Sequence, residues 1–409
     1  MNELKLWIDY HVLPPLSSIN SYATHYRVSD SNDVYLWRCS VKSSGSSLII
    51  ERSNGIEWAE GKTISGISEW GVDIVSSRAL LSYGVFKGGN GGLLVRGGDE
   101  TGSAKDSSNV TVIQSTIRSA HDFGITLLGP SHLSLQRNII RENQGGGIYS
   151  RGGELVAKKN KITGNGTSGV VLKNGGSATL IDNIFAEDRI AIEATEGVRL
   201  LAANNTVYGG ETGFQITNAY LSITGNRLQN PSKVGIYLLN PREGWSIDSN
   251  TITGSEAGIL VAINNESATT KSACNKKESC IISKNLIFEN AQGVVAAGPQ
   301  GGMIWLRQNT IVKNRETGVL VSSDGSLVFI DRNILAFNGG GILDPKGLVT
   351  IKKSVGFDNQ FWDEYPQNIP RQGKLFRANP RFRNMAEQDF RPDRTFMFNH
   401  TDVGAFTEW

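Results

Sequence analysis

Short apolar runs recur along the chain at a fixed phase, and the most regular of them follows an asparagine. The pattern is an asparagine, any residue and then an apolar residue, and successive copies stand 21 to 24 residues apart except for one interval of 35. Ten copies in phase indicate an internal repeat. The asparagine position is held by Ser115, Asn138, Asn160, Asn183, Asn205, Asn226, Asn250, Asn285, Asn309 and Asn333.

A second phase follows eight or nine residues later, where a glycine precedes an apolar residue in every copy but the fourth, which has Ala191-Ile192. A short alternating run, such as His132-Leu-Ser-Leu-Gln, opens each copy. Three short strands in about 22 residues predict one coil of a parallel β solenoid. The glycines are Gly124, Gly147, Gly169, Gly213, Gly235, Gly258, Gly293, Gly318 and Gly341.

Each repeated residue type has an expected structural role. Asparagine fits a turn, because its side chain bonds nearby backbone and tolerates the left-handed conformation. From coil to coil the amides are expected to bond each other in a ladder. Glycine is expected to supply a bend with positive φ before the third strand. The 47 glycines, with abundant Asn, Ser, Thr and Val, disfavour helix, so we expect an all-β chain.

The repeat over residues 109–353 resembles that of the right-handed parallel β-helix proteins of the pectate-lyase-like superfamily. The segments ANPRFRN at 378–384, DFRP at 389–392 and DVGAF at 402–406 are similar to the closing segment common in that superfamily. The resemblance implies a right-handed parallel β-helix. It does not specify an activity, because the repeat encodes stacking of coils.

The same pattern divides the chain. Residues 1–50 lack the repeat and are expected to cap the solenoid, because a bare end exposes strand edges and core. Residues 51–353 form the predicted β-helix, with degenerate first coils and a polar inserted loop at 264–280. Residues 354–409, rich in Phe, Pro and Arg, are predicted to be a C-terminal cap or lid.

Charge and cysteine content limit the partners and the cellular compartment that the sequence predicts. Lys and Arg number 41 against 39 Asp and Glu, which argues against a nucleic-acid-binding surface. No apolar run reaches 18 residues, so no membrane span is predicted. The first residues lack a signal-peptide pattern, so either export follows another route or this numbering begins after a leader. Cys274 and Cys280 either pair, which implies an oxidising compartment, or stay reduced; we expect an extracellular or periplasmic protein.

Strand parity predicts which side chains of each third strand face solvent. The first and third residues after the glycine point inward, as for Ile125 and Leu127, and the second and fourth point outward. The outward column is polar over about five coils and then becomes apolar. Its polar members are Tyr149, Arg151, Lys173, Glu193, Gln215 and Tyr237, and its apolar members are Leu260, Val295, Leu320 and Leu343.

The polar part of this column is a candidate site for an acidic polysaccharide. Arg151 and Lys173 would bind uronate carboxylates, Lys173 would remove a C5 proton, and Tyr149 would protonate the leaving oxygen. Substrate binding is assigned to Glu193, Gln215 and Tyr237. The plainer alternative is a solvent-facing sheet that carries mixed charges. The apolar part is expected to be covered by the C-terminal segment or by another subunit.

Two other clusters compete with this site. His121 and Asp122 stand in the turn before a third strand and could act as acid and base, although a turn histidine is often merely solvated. Glu187 and Asp188 offer a carboxylate pair for a hydrolase or for Ca²⁺, but a third acidic ligand is missing, so no metal or other cofactor is predicted. The sequence also lacks the Asp pairs of β-helix polygalacturonases and the Asp-Pro-His-Asp signature of alginate epimerases.

The sequence therefore predicts a carbohydrate-active β-helix protein that acts on an acidic polysaccharide by β-elimination or C5 epimerisation. One alternative is a non-catalytic glycan-binding, adhesin or structural β-helix. Another is a glycoside hydrolase that uses paired carboxylates. A homo-oligomer through the apolar column Leu260, Val295, Leu320 and Leu343 is a further expectation.

Overall fold

The computed structural model describes residues 26–37, 41–60, 63–97, 107–263, 274, 280–297, 302–322, 327–367, 372–392 and 403–405. The ordered elements of these residues are all β-strands, and no helix occurs among them. The chain divides into two compact units, residues 1–199 and 200–409. The prediction of an all-β parallel β-helix is confirmed, since every coil-to-coil strand pairing within each unit is parallel.

The first unit contains three parallel sheets, and the chain visits them in turn. The strands β1, β4, β7 and so on form one sheet, which we call the glycine sheet after the repeated glycine in its strands. The series that starts at β2 forms the opening sheet, and the series that starts at β3 forms the asparagine sheet. The strands are β1 (Tyr26–Ser29), β2 (Tyr35–Trp37), β3 (Val41–Ser43), β4 (Leu48–Glu51), β5 (Ile56–Ala59), β6 (Thr63–Gly66), β7 (Trp70–Val75), β8 (Arg78–Ser82), β9 (Val85–Lys87), β10 (Gly91–Arg96), β11 (Asn109–Ile113), β12 (Thr116–Arg118), β13 (Phe123–Leu128), β14 (His132–Gln136), β15 (Ile139–Arg141), β16 (Gly146–Arg151), β17 (Glu154–Lys158), β18 (Lys161–Thr163), β19 (Ser168–Lys173), β20 (Ser177–Ile181), β21 (Ile184–Ala186) and β22 (Ile190–Thr195).

The second unit repeats the three sheets and adds a C-terminal hairpin. Strand β23 (Arg199–Ala203) contains the boundary between the units. The remaining strands are β24 (Thr206–Tyr208), β25 (Thr212–Thr217), β26 (Tyr220–Thr224), β27 (Arg227–Gln229), β28 (Val234–Leu239), β29 (Ser246–Asp248), β30 (Thr251–Thr253), β31 (Ala257–Ala262), β32 (Ile281–Ser283), β33 (Leu286–Phe288), β34 (Gln292–Ala297), β35 (Met303–Arg307), β36 (Thr310–Val312), β37 (Thr317–Val321), β38 (Leu327–Asp331), β39 (Ile334–Ala336), β40 (Gly340–Leu343), β41 (Val349–Lys352), β42 (Val355–Phe357), β43 (Trp362–Tyr365), β44 (Phe376–Arg377), β45 (Phe382–Asn384) and β46 (Asp389–Pro392).

The repeated glycine does not make the predicted bend. Gly147 is the second residue of β16 and has no positive φ. A Cβ on it would lie 2.4 Å from the carbonyl oxygen of Gly169 in the next coil and 3.0 Å from Ile162 Cγ2. The glycine is needed for this close approach of the next coil, because there is no room for a side chain. The expectation of a positive φ was therefore wrong.

The predicted asparagine ladder is present within each unit, and we call it the first ladder. In the first unit the Asn138 backbone N–H donates to Asn160 Oδ1 at 2.8 Å, and the Asn138 side-chain amide donates to the same oxygen at 3.0 Å. The asparagines themselves do not have the left-handed conformation that we expected of them. That conformation belongs to the residue before each of them, such as Arg137 and Lys159, both with φ 56°.

A second ladder, which the sequence reading missed, runs through the turn after the asparagine strands. In the first unit Asn143 bonds Asn165, and the backbone N–H of Asn165 donates to Asp188 Oδ1 at 2.8 Å. An acid therefore holds the last amide position of this ladder in the first unit. In the second unit the members are all amides after the initial Ser255, namely Asn290, Asn314, Asn338 and Asn359.

The C-terminal hairpin covers the asparagine sheet of the second unit. Phe390 is fully buried, and its ring lies 5.2 Å from that of Phe288. The backbone N–H of Ala405 donates to Thr310 Oγ1 at 2.9 Å. The described part of this segment thus packs on asparagine strands whose outward side chains are apolar, and the cover of the apolar column, by this segment or by another subunit, stays a prediction. The outward side chains are Leu286, Phe288, Val312, Ile334 and Ala336.

Two further features bear on the predicted organisation. Parallel pairing begins at Tyr26, so β1 to β3 and most of β4 lie within the range 1–50; whether that range acts as a cap stays a prediction, as do the other domain boundaries. Cys274 and Cys280 form a disulfide, and Trp245 Nε1 donates to Cys274 Sγ at 3.2 Å. The other residues of the inserted loop lie outside the described residues, as does Cys39.

Candidate functional site

Four of the predicted site residues lie together on the outer face of the glycine sheet in the first unit, and we call them the polar face: Tyr149, Arg151, Lys173 and Glu193. Arg151 pairs in register with Lys173, one coil on. Tyr149 pairs with Val171, and Val171 with Glu193. The inward positions, such as Ile148 and Val170, are completely buried, as parity predicts. Neighbouring coils of a sheet stand about 4.8 Å apart, so the four side chains share one small area.

Glu193 makes the closest charge contact on this face. Its Oε1 lies 4.0 Å from Lys173 Nζ, and its Oε2 is within 3.5 Å of the Ser168 hydroxyl. The Glu193 side chain is 21% exposed and that of Lys173 is 40% exposed. The two side chains therefore form a long ion pair at the surface of the sheet. Because the pair is partly solvated, its contribution to stability is small.

Tyr149 is held by an aromatic neighbour. The ring of Phe123, from the preceding strand of the sheet, lies 5.2 Å away at an interplanar angle of 41°. Phe123 in turn lies over Gly146, where a Cβ would come within 2.4 Å of its ring. The tyrosine ring is half-buried, so one side packs on the sheet and the other meets solvent. An aromatic ring held in this way can stack on a sugar or offer its hydroxyl as a proton donor.

Gln215 and Tyr237 occupy the corresponding face of the second unit. They pair in register, and both are half-buried. Tyr237 is followed by Leu260, and the predicted apolar column then continues in register through the rest of the unit. Its later members are Val295, Leu320 and Leu343, and Leu343 pairs in turn with Tyr365, which was not part of the prediction.

His121 and Asp122 lie in the turn before β13, where the sequence placed them. Both side chains are exposed. His121 Nδ1 lies 3.3 Å from Gln144 Oε1. Asp122 lies beside Gly145, where a Cβ would come within 2.6 Å of Asp122 Oδ1. The histidine thus contacts an amide of the next turn, and no carboxylate–histidine bond forms between the two residues among the contacts described.

The carboxylate pair Glu187 and Asp188 separates in the structure. Glu187 is exposed at φ 62°, whereas Asp188 is 4% exposed and belongs to the second ladder. Burial, above all, raises the pKa of Asp188 to about 7. Its Oδ2 has no hydrogen-bond partner within the described part of the chain. The two groups face different surroundings, so they do not form the facing pair that a hydrolase uses.

Sequence reasoning missed two charged residues on the same sheet. Arg96 bonds Asp73 through two contacts of 2.9 and 3.2 Å, and Asp73 is 8% exposed. Asp73 stands in the column of Tyr149, with Leu94 and Thr126 between them. The alternation of inward and outward side chains, applied to β7 and β10, would have placed both residues on the outer face. The two side chains of this pair neutralise each other.

A search of the described residues finds no group of three His, Cys, Asp or Glu side chains that could hold a metal ion. No helix within the described ranges is long and apolar enough to cross a lipid bilayer.

Comparison with known proteins identifies the family. The family model described as "Right handed beta helix region" matches residues 24–185 and 168–335, which is more than half of the chain. No curated protein matches. Among solved structures, the chain is similar to the periplasmic alginate epimerase AlgG, with 14% identity, a TM-score of 0.41, and coverage of 78% of this chain and 77% of that one. Similarity at this level does not assign an activity. The family match and the parallel coils together show that the chain belongs to the right-handed β-helix family.

Proposed function

We propose that this protein is a carbohydrate-active β-helix protein that binds an acidic polysaccharide on the polar face of its first unit. The observation that carries the proposal is the placement of Arg151 and Lys173 one coil apart, beside Tyr149. Two cations on successive coils suit a chain of carboxylated sugars, because each can pair with a carboxylate oxygen. The tyrosine ring adds an apolar surface for a sugar ring.

The proposed reaction begins with transfer of the C5 proton of a uronate to Lys173, acting as a neutral amine. Pairing of the uronate carboxylate with Arg151 withdraws charge and favours this transfer. In β-elimination the electron pair left at C5 forms the C4–C5 double bond while the C4–O bond breaks, and Tyr149 gives its proton to the departing oxygen. In epimerisation the C4–O bond stays intact, and Tyr149 instead gives its proton to C5 on the face opposite Lys173. Both outcomes share the first step.

The identity of the base is the sharpest question about this site. Lys173 has two candidate roles: as a neutral amine it would accept the C5 proton, and as an ammonium group it would bind the substrate carboxylate. Lys173→Arg separates the two roles, since arginine preserves the charge but is a very poor base.

The test is incubation with alginate, pectate and glycosaminoglycans, with ultraviolet absorbance reporting unsaturated products and NMR in D₂O reporting exchange at C5. Turnover is expected from wild type. It should fall by at least about 100-fold in Tyr149→Phe if this hydroxyl is the acid. If Lys173 is the base, Lys173→Arg is equally inactive; if it only binds the carboxylate, substantial turnover remains.

Lys233→Gln is the matched control. This exposed lysine pairs with Glu211 at 2.8 Å, and it is distant in sequence from the residues of the polar face. Its turnover should equal that of wild type. Unchanged turnover in Lys173→Ala, Arg151→Ala and Tyr149→Ala would show that the site lies elsewhere.

A non-catalytic glycan-binding protein is the second candidate, because Arg151 and Lys173 on adjacent coils would bind uronate carboxylates without any proton transfer. Binding to the same polymers without any turnover would establish it. The disulfide Cys274–Cys280 supports our proposal of an extracellular or periplasmic location, because such bonds persist in oxidising compartments. A homo-oligomer through the apolar column stays a prediction.

A further inference from the structure

A cluster of four cations lies at a different corner of the first unit, between its opening and asparagine sheets; we call it the basic corner. Its members are Arg137, Lys158, Lys159 and Lys161. Gln136 and Lys158, the last residues of β14 and β17, pair in register, and the backbone N–H of Arg137 donates to the carbonyl of Lys158 at 3.1 Å. Arg137 and Lys159 thus hold the same turn position on successive coils, and Lys161 begins the next strand.

The four cations of this corner form no ion pairs with acids of the described residues. All four side chains are exposed. Residues 132–174 contain seven Lys and Arg but only two Asp and Glu, in a chain with nearly balanced charge overall. Those two acids are engaged elsewhere, since Glu142 pairs with Arg141 at 2.7 Å and Glu154 lies 3.4 Å from His132 Nδ1. Asp182, at the turn of the following coil, is the acid nearest in register.

The equivalent corner of the second unit is built differently. There Arg332 holds the turn position, and its Nε lies 3.3 Å from Asp331 Oδ2. Arg307, the last residue of β35, lies 3.7 Å from the same oxygen. The second unit thus places a buried carboxylate among its cations, whereas the first unit gathers cations without one. Mutual repulsion makes such a cluster unfavourable by itself, and an anionic ligand would offset it.

We propose that the basic corner is a second binding surface, for a linear polyanion that spans the two coils from Arg137 to Lys161. The cations lie on adjacent coils about 4.8 Å apart, so they fit repeated negative charges along a chain rather than one isolated ion. The choice of an acidic polysaccharide as that polymer rests on the proposed function. The surface would hold a long substrate chain while the polar face acts on another part of it.

The test uses the full-length protein and the triple variant Lys158→Gln, Lys159→Gln, Lys161→Gln. Glutamine already holds the left-handed turn position at Gln114 and Gln308, so it should be tolerated at residue 159. Binding of long-chain alginate is measured at several salt concentrations, with neutral dextran as the uncharged polymer. The triple variant is expected to bind roughly tenfold more weakly and with a smaller salt dependence, because three exposed ion contacts are lost.

The control Lys233→Gln removes one exposed lysine that is already paired, and its affinity should equal that of wild type. Unchanged alginate affinity in the triple variant would overturn the proposal, and so would an equal loss of affinity in Lys233→Gln. The proposal would also fail if the wild-type protein bound phosphatidylglycerol vesicles but not alginate. Arg151→Gln with Lys173→Gln tests the polar face separately. If this double variant keeps full turnover, the proposed function fails; if the triple variant keeps full alginate affinity, the proposal for the basic corner fails.

Discussion

The asparagine strands of the first unit and those of the last coils of the second unit, β33, β36 and β39, have opposite outer surfaces. In the first unit its strands alternate, so that Lys161-Ile-Thr163 exposes its first residue and buries only the middle one. In the second unit Leu286-Ile-Phe288 and Thr310-Ile-Val312 are buried at all three positions, under the C-terminal hairpin. The middle residue of each strand makes the same core contact in both units. The outward residues therefore decide whether a coil faces water or needs a cover.

The second ladder differs between the units as well. In the second unit each amide accepts a bond from one neighbour and donates to another, as when the Asn314 side chain donates to Asn338 Oδ1 at 2.9 Å. In the first unit Asp188 accepts two bonds from Asn165 and presents Oδ2 where an asparagine would present its donor. A buried carboxylate oxygen without a donor is unfavourable, so the acid is favoured in its protonated form.

The largest effect is expected when a charged side chain, such as those on the asparagine strands of the first unit, is placed in a covered asparagine strand of the second unit. Val312→Lys puts a charge under Phe390, in a position that is completely buried. The free energy of unfolding is expected to fall by about 3–5 kcal/mol, because an unpaired charge cannot stay buried there. The loss is no larger because the hairpin can detach and expose the charge to water. Hydrogen exchange of residues 382–392 and chemical denaturation measure the effect.

The matched control is Thr163→Lys, at the same strand position in the first unit. Arg118 and Arg141 already hold this position in β12 and β15, so a cation is compatible with it. A change within about 0.5 kcal/mol is expected. If both lysine variants cost the same, burial by the hairpin does not explain the difference between the two sheets.

Asp188→Asn restores an amide to the second ladder of the first unit. The pKa of Asp188 is raised from its usual 3.8 to about 7, so the folded state holds a proton that the unfolded chain has released. The contribution of Asp188 to stability should therefore be largest below pH 4 and fall as pH rises to about 7. The variant should not show this fall and should be more stable by about 2–4 kcal/mol at pH 8.

Denaturant unfolding at pH 4 and pH 8 measures this difference. Asn314→Asp provides the reciprocal control, since it introduces an acid into the all-amide segment of the second unit, and it should lose stability as pH rises. A wild type whose stability does not change between the two values, or an Asp188→Asn variant that is less stable at pH 8, would contradict the assignment of a protonated Asp188.

The smallest expected effect concerns the edge of the covered sheet. Lys313 Nζ lies 5.2 Å from the centre of the Phe390 ring and donates to the carbonyl of Met385 at 3.4 Å. Lys313→Ala should weaken attachment of the hairpin by about 0.5–1 kcal/mol, because a partly exposed cation–π contact and one hydrogen bond are lost. Protease cleavage rates in the hairpin report this change, with Lys284→Ala, at the turn position, as a surface control.

Much of the fold could be predicted from the sequence because the period of the repeat specifies the coil. The phase of Asn138, Asn160 and Asn183 predicted the first ladder, and parity after Gly147 and Gly169 predicted the polar face in register. The role of glycine was misassigned because close approach between coils is a property of stacked backbones, which one copy of the repeat does not reveal. Parity applied to Leu286-Ile-Phe288 would have shown that the asparagine strands also need cover.

The chemistry of the site was less predictable than its position. Register placed Lys173 and Glu193 near each other, but their 4.0 Å contact depends on side-chain conformations that the repeat does not encode. The separation of Glu187 from Asp188 follows from the backbone of one turn, where the first residue takes a left-handed conformation and the second enters the ladder. Adjacent acids in a sequence therefore do not make a catalytic pair by proximity alone.

The interval from Asn250 to Asn285 has a practical consequence for engineering. It is the longest step of the first ladder, yet its backbone-to-amide bond is 2.9 Å, the same as that between Asn285 and Asn309. The additional residues leave the spacing of the coils unchanged, and the cystine closes the loop between positions 274 and 280. A foreign peptide grafted between those two cysteines would therefore be closed into a ring by the disulfide, while the asparagine bonds on either side of the interval keep the coils in place.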